Sequence, residues 1–287
     1  MEAARHALTR LALAAALLPV ACGPRRGGPT VAAAPLARRL LAVGAELGVA
    51  RSADGQGEVD DGARSLERLA ARAQAALAAR EPGSPIDAVN AAVFDEAGFR
   101  REVDDTDLAY VLLPSVLRER RGSCVGLGTL ELALAELVGV RARGVVVPGH
   151  FFVRVDEGGR ARNVELLRRG EDEPAAWYHA RWPLPATTVP TYDRALTDDE
   201  VVGVVEYDVG NELRRRGRLA EARHALERAV AHFPSLPEAE ASLGAVLQLE
   251  GALDAAAVAY EAARRIEPEL PGLGRNVRLL ETERATR

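Results

Sequence analysis

The chain has 287 residues, of which 48% are hydrophobic and 28% are charged, so its composition is that of a folded globular protein and excludes disorder throughout. Aromatic residues make up only 4% of the chain, while Ala and Leu abound, which favours helices over an all-β fold. The net charge of −5 comes from well-mixed Arg and acidic residues, so we expect no basic face for nucleic acid.

Residues 1–22 have the pattern of a signal peptide, and their end resembles a bacterial lipobox. An apolar run, residues 11–20, follows two arginines and is shorter than the roughly 20 residues that span a membrane. It leads through Pro19, where Leu is usual, to Cys22, the residue expected to carry the lipid. The alternative is an ordinary cleavage site beside an incidental cysteine. We therefore expect a lipid anchor in the bacterial cell envelope and a tether over residues 23–57.

A lipid on Cys22 would attach this chain to a membrane, so a membrane is one expected partner. Gly23 stands where, by analogy with enteric lipoproteins, Asp would signal retention in the inner membrane. This favours the outer membrane or the periplasmic face.

The segment 58–196 is predicted to hold helices followed by an antiparallel sheet. Helical segments are expected at 63–80, 86–94, 108–118 and 127–137. Strands are expected at 144–147, 150–155 and 160–166. Gly139 is placed to cap the fourth helix, and turn sequences separate the strands at Pro148-Gly149 and at 156–159. Helices that precede strands in this way indicate an α+β domain.

Residues 197–287 contain an internal repeat with a period of 34 residues. The matched pairs are Gly210 and Gly244, Ala222 and Ala256, Leu226 and Tyr260, Ala229 and Ala263, and Pro234 and Pro268. This arrangement resembles the tetratricopeptide repeat, in which small residues let paired helices approach closely and Pro ends the second helix. Two repeats and a capping helix at 273–283 are therefore predicted; an ordinary pair of helical hairpins is the alternative.

Two residues of the central segment form a candidate nucleophile and base. Cys124 lies where the fourth helix should begin, and the positive end of a helix dipole lowers the pKa of a thiol. The backbone N–H groups there can also stabilise an oxyanion. His150 opens the strand after Pro148-Gly149, and His is the usual base for such a thiol. The alternative for Cys124 is a small buried apolar side chain.

The residue that orients His150 has two candidates, Glu165 and Asn163. If the hairpin turn is centred between Glu157 and Gly158, Glu165 lies opposite His150 and Asn163 is its diagonal neighbour on the same face. Geometry favours Glu165, while analogy with Cys-His-Asn enzymes favours Asn163, so both remain candidates.

Aromatic residues and possible ligand motifs complete the central segment. Four aromatic residues follow the strands: Trp177, Tyr178, Trp182 and Tyr192. We expect them to pack a loop on the core more than to cover the site. No metal-binding cluster or phosphate-binding loop is visible in the sequence, so we expect neither a metal nor another cofactor.

Three stretches of the central segment form a specific pattern: residues 88–99 (AVNAAVFDEAGF), residues 117–122 (LRERRG) and residues 144–154 (GVVVPGHFFVR). In order and spacing they resemble the SirB family of transglutaminase-like proteins. The resemblance implies a papain-like fold, and many members of that family also end in tetratricopeptide repeats. Many members lack a cysteine at the position of Cys124, which this chain keeps. The family's acidic IDPFNGG stretch corresponds here to residues 162–170, which contain Asn163 and Glu165.

Two functions from different classes follow. The first is a thiol enzyme in which Cys124 attacks an amide of a protein or peptide, by hydrolysis or acyl transfer, while the repeats recruit the partner. The second is a non-catalytic adaptor whose papain-like domain is a scaffold and whose repeats bind a partner protein. A third hypothesis is a membrane assembly factor whose function needs only the lipid anchor and the repeats.

Overall fold

The computed structural model describes residues 30–51, 55–79, 83–102, 107–186 and 191–286. The expected signal peptide and Cys22 lie outside these residues. Among the described helices, none combines the length and the apolar character needed to cross a membrane.

The N-terminal half of the central region is helical. Its helices are α1 (Pro35–Glu46), α2 (Gln56–Ala78), α3 (Pro85–Asn90), which continues as a π-helical turn over Ala91–Glu96, and α4 (Leu113–Glu119). Short 3₁₀ turns lie at Val31–Ala33 and Leu108–Tyr110, and a minimal parallel pair is formed by β1 (Arg100–Arg101) and β2 (Arg121–Gly122). These elements surround the next helix, α5 (Cys124–Val138), on which the site is built.

The tether expected over residues 23–57 is shorter than the sequence predicted, because α1 lies within it. Leu36, Leu40 and Leu41 form an apolar stripe on α1 and are buried in the main core. The carboxylate of Glu136, on α5, accepts hydrogen bonds from the backbone N–H groups of Leu36 at 3.3 Å and Ala37 at 2.9 Å. An acidic side chain at a helix N-terminus is stabilising, so α1 is docked at its start as well as along its face.

Helix α5 is buried along most of its length and begins and ends as predicted. The Ser123 hydroxyl caps it by accepting the backbone N–H of Gly126 at 3.1 Å, and Gly139 ends it with a left-handed φ of 79°. A Cβ on Gly126 would lie 2.1 Å from the backbone oxygen of Tyr110. Glycine is therefore required there, because the start of α5 passes directly against the preceding loop.

The sheet consists of β3 (Ala142–Val147), β4 (His150–Glu157), β5 (Arg160–Glu165) and β6 (Glu171–Asp172), antiparallel in that order. One face packs on α5, where the Phe151 ring fills the space left by Gly128 and Gly144. The opposite face, which includes Phe152, is covered by α6 (Ala175–Arg181). The α+β arrangement predicted from the sequence is confirmed for this region.

The β4–β5 turn lies one residue further along the chain than predicted. Glu157 pairs with Arg160, so Gly158 and Gly159 form the turn, with φ values of 67° and 92°. A two-residue hairpin turn with positive φ at both positions matches the twist of the strands, and glycine adopts it without strain. The new register changes which residues face each other across the hairpin.

The C-terminal region is a stack of antiparallel helices. They are α7 (Asp198–Arg215), α8 (Leu219–His232), α9 (Pro237–Leu249), α10 (Leu253–Ile266) and α11 (Leu273–Ala285). Gly210 on α7 lies against Leu226 on α8, and Gly244 on α9 lies against Tyr260 on α10, so an added Cβ at either glycine would overlap its neighbour. The two helix pairs are therefore packed in the same way at positions 34 residues apart.

The helical stack is fixed to the central region through α7 and α8. The buried carboxylate of Glu206, on α7, accepts hydrogen bonds from Arg228 and His232 of α8, both at 2.6 Å. Arg228 also bonds Glu46 at the end of α1, at 2.6 Å. One apolar core runs without interruption from α1 through α5 into α9. The two regions therefore meet along a packed face rather than through a free linker.

Candidate active site

Cys124 is the first residue of α5, as the sequence predicted, and its side chain is half-buried. The loop before it is held by a 2.9 Å hydrogen bond from the Ser123 N–H to the Tyr110 carbonyl. The sulfur therefore sits at the first turn of α5, at the positive end of the helix dipole. This environment favours the thiolate form of a cysteine.

His150 and Glu165 form a buried pair beside this helix start. The His150 Nε2 atom lies 2.8 Å from the Glu165 Oε2 atom, and the two side chains are 2% and 1% exposed. The other carboxylate oxygen of Glu165 accepts the backbone N–H of Leu167 at 3.0 Å. Glu165 is thus fixed by the chain that follows β5 and fixes the imidazole in turn. A base oriented in this way is the arrangement expected beside a nucleophile.

Asn163 is not the partner of His150. In the observed register it lies opposite Arg154, whose Nε donates to the Asn163 Oδ1 at 2.8 Å. Its amide nitrogen donates to the carbonyl of Glu173 at 3.0 Å. Arg154 lies four positions along β4 from His150, a distance of roughly 13 Å. Asn163 therefore holds the edge of the sheet, and Glu165 is the residue that contacts His150.

Aromatic rings close the other side of the His150–Glu165 pair. Trp182 stacks on the imidazole of His150 with ring centroids 3.9 Å apart and planes 3° apart. Tyr178 stacks on Phe152 at 3.9 Å, and burial, reinforced by the charge of Glu165, raises the pKa of its hydroxyl. Core packing was expected for these aromatics and holds for Tyr178. Trp182, in addition, covers the imidazole and shields it from water.

Cys124 and His150 line the same cavity, which has a volume of about 360 Å³. Its remaining walls come from three parts of the chain. The central region contributes Val111, Ser123, Val125, Val146, Val147, Gly149 and Phe151; the connection to α7 contributes Tyr192; and the helical stack contributes Val204, Tyr207, Asp208, Asn211, Arg215, Leu236 and Glu238. The cavity is thus apolar near the thiol and polar on the side of the helical stack.

The wall from the helical stack was not predicted from the sequence. Three of its polar residues, Tyr207, Asn211 and Arg215, follow each other at intervals of four along α7 and so share one face. That periodicity was a signal in the sequence, but it does not say which surface the face meets. Within the described residues, no group of three or more His, Cys, Asp and Glu side chains is placed to hold a metal ion.

The polar wall contains a carboxylate that is only half satisfied. Glu238, in the first turn of α9, accepts the Tyr192 hydroxyl at 2.7 Å through Oε1. Its Oε2 is buried and has no hydrogen-bond partner among the described residues. Burial raises the pKa of Glu238, and burial beside Glu238 also raises the pKa of Tyr192.

Residues 61–171 match the model of the transglutaminase-like superfamily. The match begins within α2, ends in β6 and contains Cys124, His150 and Glu165. A search of curated proteins finds no match. The central part of the chain is therefore a transglutaminase-like domain, which supports the papain-like fold implied by the sequence, and the matched segment ends before α6 and the helical stack.

Proposed function

We propose that the transglutaminase-like domain is a thiol enzyme that cleaves or transfers amide bonds of a protein or peptide. The observation that carries this is the buried His150–Glu165 hydrogen bond, which lies against the same cavity as a cysteine at a helix N-terminus. Burying a carboxylate and an imidazole together is costly, and here the pair lies at a cavity that also contains a thiol, which favours a catalytic role over a purely structural one. Cys124 is the nucleophile, His150 the base and Glu165 the orienting carboxylate.

The first half of the reaction forms a thioester. His150 takes the thiol proton at Nδ1, because Nε2 is engaged by Glu165, and the sulfur of Cys124 attacks the carbonyl carbon of the amide. The resulting oxyanion is stabilised by backbone N–H groups at the start of α5. When the intermediate collapses, the carbon–nitrogen bond breaks and His150 returns its proton to the leaving amine. The negative charge of Glu165 stabilises the imidazolium between these two transfers.

The second half releases the acyl group. Water or an amine loses a proton to His150 and attacks the thioester carbonyl, and the carbon–sulfur bond breaks as the thiolate leaves. The product is a carboxylic acid with water and a new amide with an amine. The side-chain amide of Gln and the peptide amide are the substrates of matching chemistry. The cavity of about 360 Å³ lies at the lower end of the size range of ligand pockets, so it suits a side chain rather than a folded surface.

Acetylation by p-nitrophenyl acetate tests this mechanism without knowledge of the natural substrate. We expect a burst of p-nitrophenolate and an acetyl group on the peptide that contains Cys124. Cys124→Ala should abolish the burst, and Glu165→Gln should slow it by about 100-fold or more, the size of a general-base contribution. Asn163→Ala, checked for folding by its melting curve, is the matched control and should leave the burst rate unchanged. Equal rates in wild-type and Glu165→Gln protein would refute the assignment.

We further propose that this chain belongs to the SirB branch and that its C-terminal helices are tetratricopeptide repeats that recruit a protein partner. The equivalent contacts of Gly210 with Leu226 and of Gly244 with Tyr260 support a true repeat. Capture of one partner by the full chain, lost when exposed residues of α9 or α11 are changed, would test recruitment.

Envelope anchoring through Cys22, at the outer membrane or periplasmic face, is part of the same proposal. It rests on the lipobox-like sequence alone. Mass spectrometry of the mature protein should find a lipid on Cys22 as the first residue. An unmodified N-terminus elsewhere would exclude the anchor.

A further inference from the structure

The helical stack supplies one side of the reaction cavity. The wall that faces the transglutaminase-like residues is formed by α7 and by the first turn of α9. Both helices lie outside residues 61–171, the segment that carries Cys124 and His150. One wall of the cavity is therefore contributed by a different part of the chain from Cys124 and His150.

The charges on this wall are unequal. Asp208 and Glu238 are its acidic residues, and Arg215 is the basic residue among the lining side chains of the stack. Arg215 is exposed to solvent and forms an ion pair with Glu212 on its own helix. Glu212 also pairs with Arg216, so this carboxylate is shared between two arginines. The stack therefore contributes two acidic side chains and one basic side chain to the cavity wall.

One carboxylate oxygen of Glu238 is buried without a hydrogen-bond donor among the described residues. Tyr192 satisfies one of its carboxylate oxygens, while Oε2 is buried without a partner in the part of the chain that the structure describes. An unsatisfied buried acceptor is costly, and such groups occur where a ligand completes the hydrogen bonding. Glu267 is 3% exposed, and its charge adds to the effect of burial in raising the pKa of Glu238. A cation that bound here would both donate to Oε2 and offset the two acidic groups.

We propose that Glu238 is a specificity residue that binds a cationic side chain of the substrate, of the Lys or Arg type, close to the amide that Cys124 attacks. Tyr192 holds the carboxylate in place through its hydroxyl. This rests on the proposed function for the reaction at Cys124, but the binding site itself is independent of turnover. The enzyme therefore selects its substrate through the repeat helices and reacts with it through the transglutaminase-like domain.

Irreversible peptide probes test the proposal on the full chain. In a peptidyl acyloxymethyl ketone, the sulfur of Cys124 bonds to the methylene carbon and the carboxylate leaves, so the labelling rate reports binding beside the thiol. The probes carry Arg, its neutral isostere citrulline, or Glu next to the reactive group. Wild-type protein should react with the Arg probe roughly tenfold or more faster than with the citrulline probe, the size expected of a hydrogen bond to a charged group.

Glu238→Gln should abolish that preference, so that the Arg probe reacts no faster than the citrulline probe. Glu240→Gln, a matched change on the same helix outside the cavity lining, should keep the preference. Equal Arg and citrulline rates in wild-type protein, a faster Glu probe, or a preference that survives Glu238→Gln would each overturn the assignment.

A second measurement separates this site from the chemistry. Binding of N-acetyl-arginine amide to Cys124→Ser protein, followed by calorimetry, needs no reactive thiol. We expect binding that Glu238→Gln weakens by roughly tenfold or more while the melting curve stays intact. If the thiol proves inert but this binding persists, the proposed function fails and the cation site stands. If wild-type and Glu238→Gln proteins bind alike, or neither binds, the cation site is refuted.

Discussion

Glu131 makes the stability of this protein depend on pH in an unusual direction. It lies in the middle of α5, is 0% exposed, and neither of its carboxylate oxygens has a hydrogen-bond partner among the described residues. Burial raises the pKa of Glu131 from 4.5 to about 8, against an opposing effect of the positive charge of Arg162. The folded protein therefore keeps a proton on Glu131 that the unfolded chain gives up near pH 4.5.

The magnitude follows from the difference between the two pKa values. Below pH 4.5 the carboxyl is protonated in both states and so adds no pH dependence to the free energy of unfolding. Between pH 4.5 and 8 the unfolded chain ionises while the folded one does not, so the free energy of unfolding falls as pH rises. At about 1.4 kcal/mol per unit, the loss reaches about 5 kcal/mol at pH 8 and above.

Urea unfolding of wild-type and Glu131→Gln protein at pH 5, 7 and 8.5 measures this loss. The amide cannot ionise, so the variant should lack the part of the pH dependence that Glu131 causes. It should match the wild type within about 1 kcal/mol at pH 5 and exceed it by about 3–5 kcal/mol at pH 8.5. Glu281→Gln, on the exposed face of α11, should follow the wild-type curve. Parallel pH curves for wild-type and Glu131→Gln protein would refute the reasoning.

Two further changes test how α5 is positioned. Gly126→Ala should lower the free energy of unfolding by about 3 kcal/mol or more in thermal melts, because the new Cβ meets the backbone oxygen of Tyr110. The control is Gly274→Ala, where only an arginine side chain is near, and it should lower the free energy of unfolding by less than about 1 kcal/mol. Glu136→Gln should lower the free energy of unfolding by about 1 kcal/mol, because it weakens the cap of α1. In this variant, backbone hydrogen exchange should rise first at residues 36 and 37. Unchanged exchange at these two residues would contradict the capping role of Glu136.

Elements with strong local signals could be predicted from the sequence. Leu127, Leu130 and Leu134 carry the helical period of α5, and Gly139 marks its end, so the position of Cys124 at the helix start followed directly. The apolar run at 144–147 and the turn sequences at Pro148-Gly149 and 156–159 likewise located the strands. For α5 and the strands, local signals were therefore sufficient.

The hairpin register shows where local signals become ambiguous. The turn contains Asp156, Glu157, Gly158 and Gly159, and several of these suit a tight turn. The structure places the turn at the two glycines, and Asp156 accepts the N–H of Gly159 at 2.9 Å. If this register continues to the end of the strands, Glu165 is a diagonal neighbour of His150 on the same face of the sheet. Its side chain is then near enough to reach the imidazole. Glu165 was among the two candidates because it shares that face in either register.

Features that depend on distant surfaces could not be predicted. The stripe of Leu36, Leu40 and Leu41 on α1 is buried only when α5 and α7 pack beside it. The cavity wall from α7 and Glu238 depends on how the helical stack docks, which no local pattern encodes. Tertiary packing therefore decided both the end of the tether and the composition of the site.

The reactivity of Cys124 tests the central claim most directly. An ordinary thiol has a pKa near 8.5, so its alkylation by iodoacetamide slows about tenfold for each pH unit below that value. We predict that Cys124, located by peptide mass analysis, is alkylated at pH 6 within about a factor of ten of its rate at pH 9, and that His150→Gln removes this advantage. A rate that falls tenfold per unit from pH 8 to pH 6 in the wild-type protein would contradict the account.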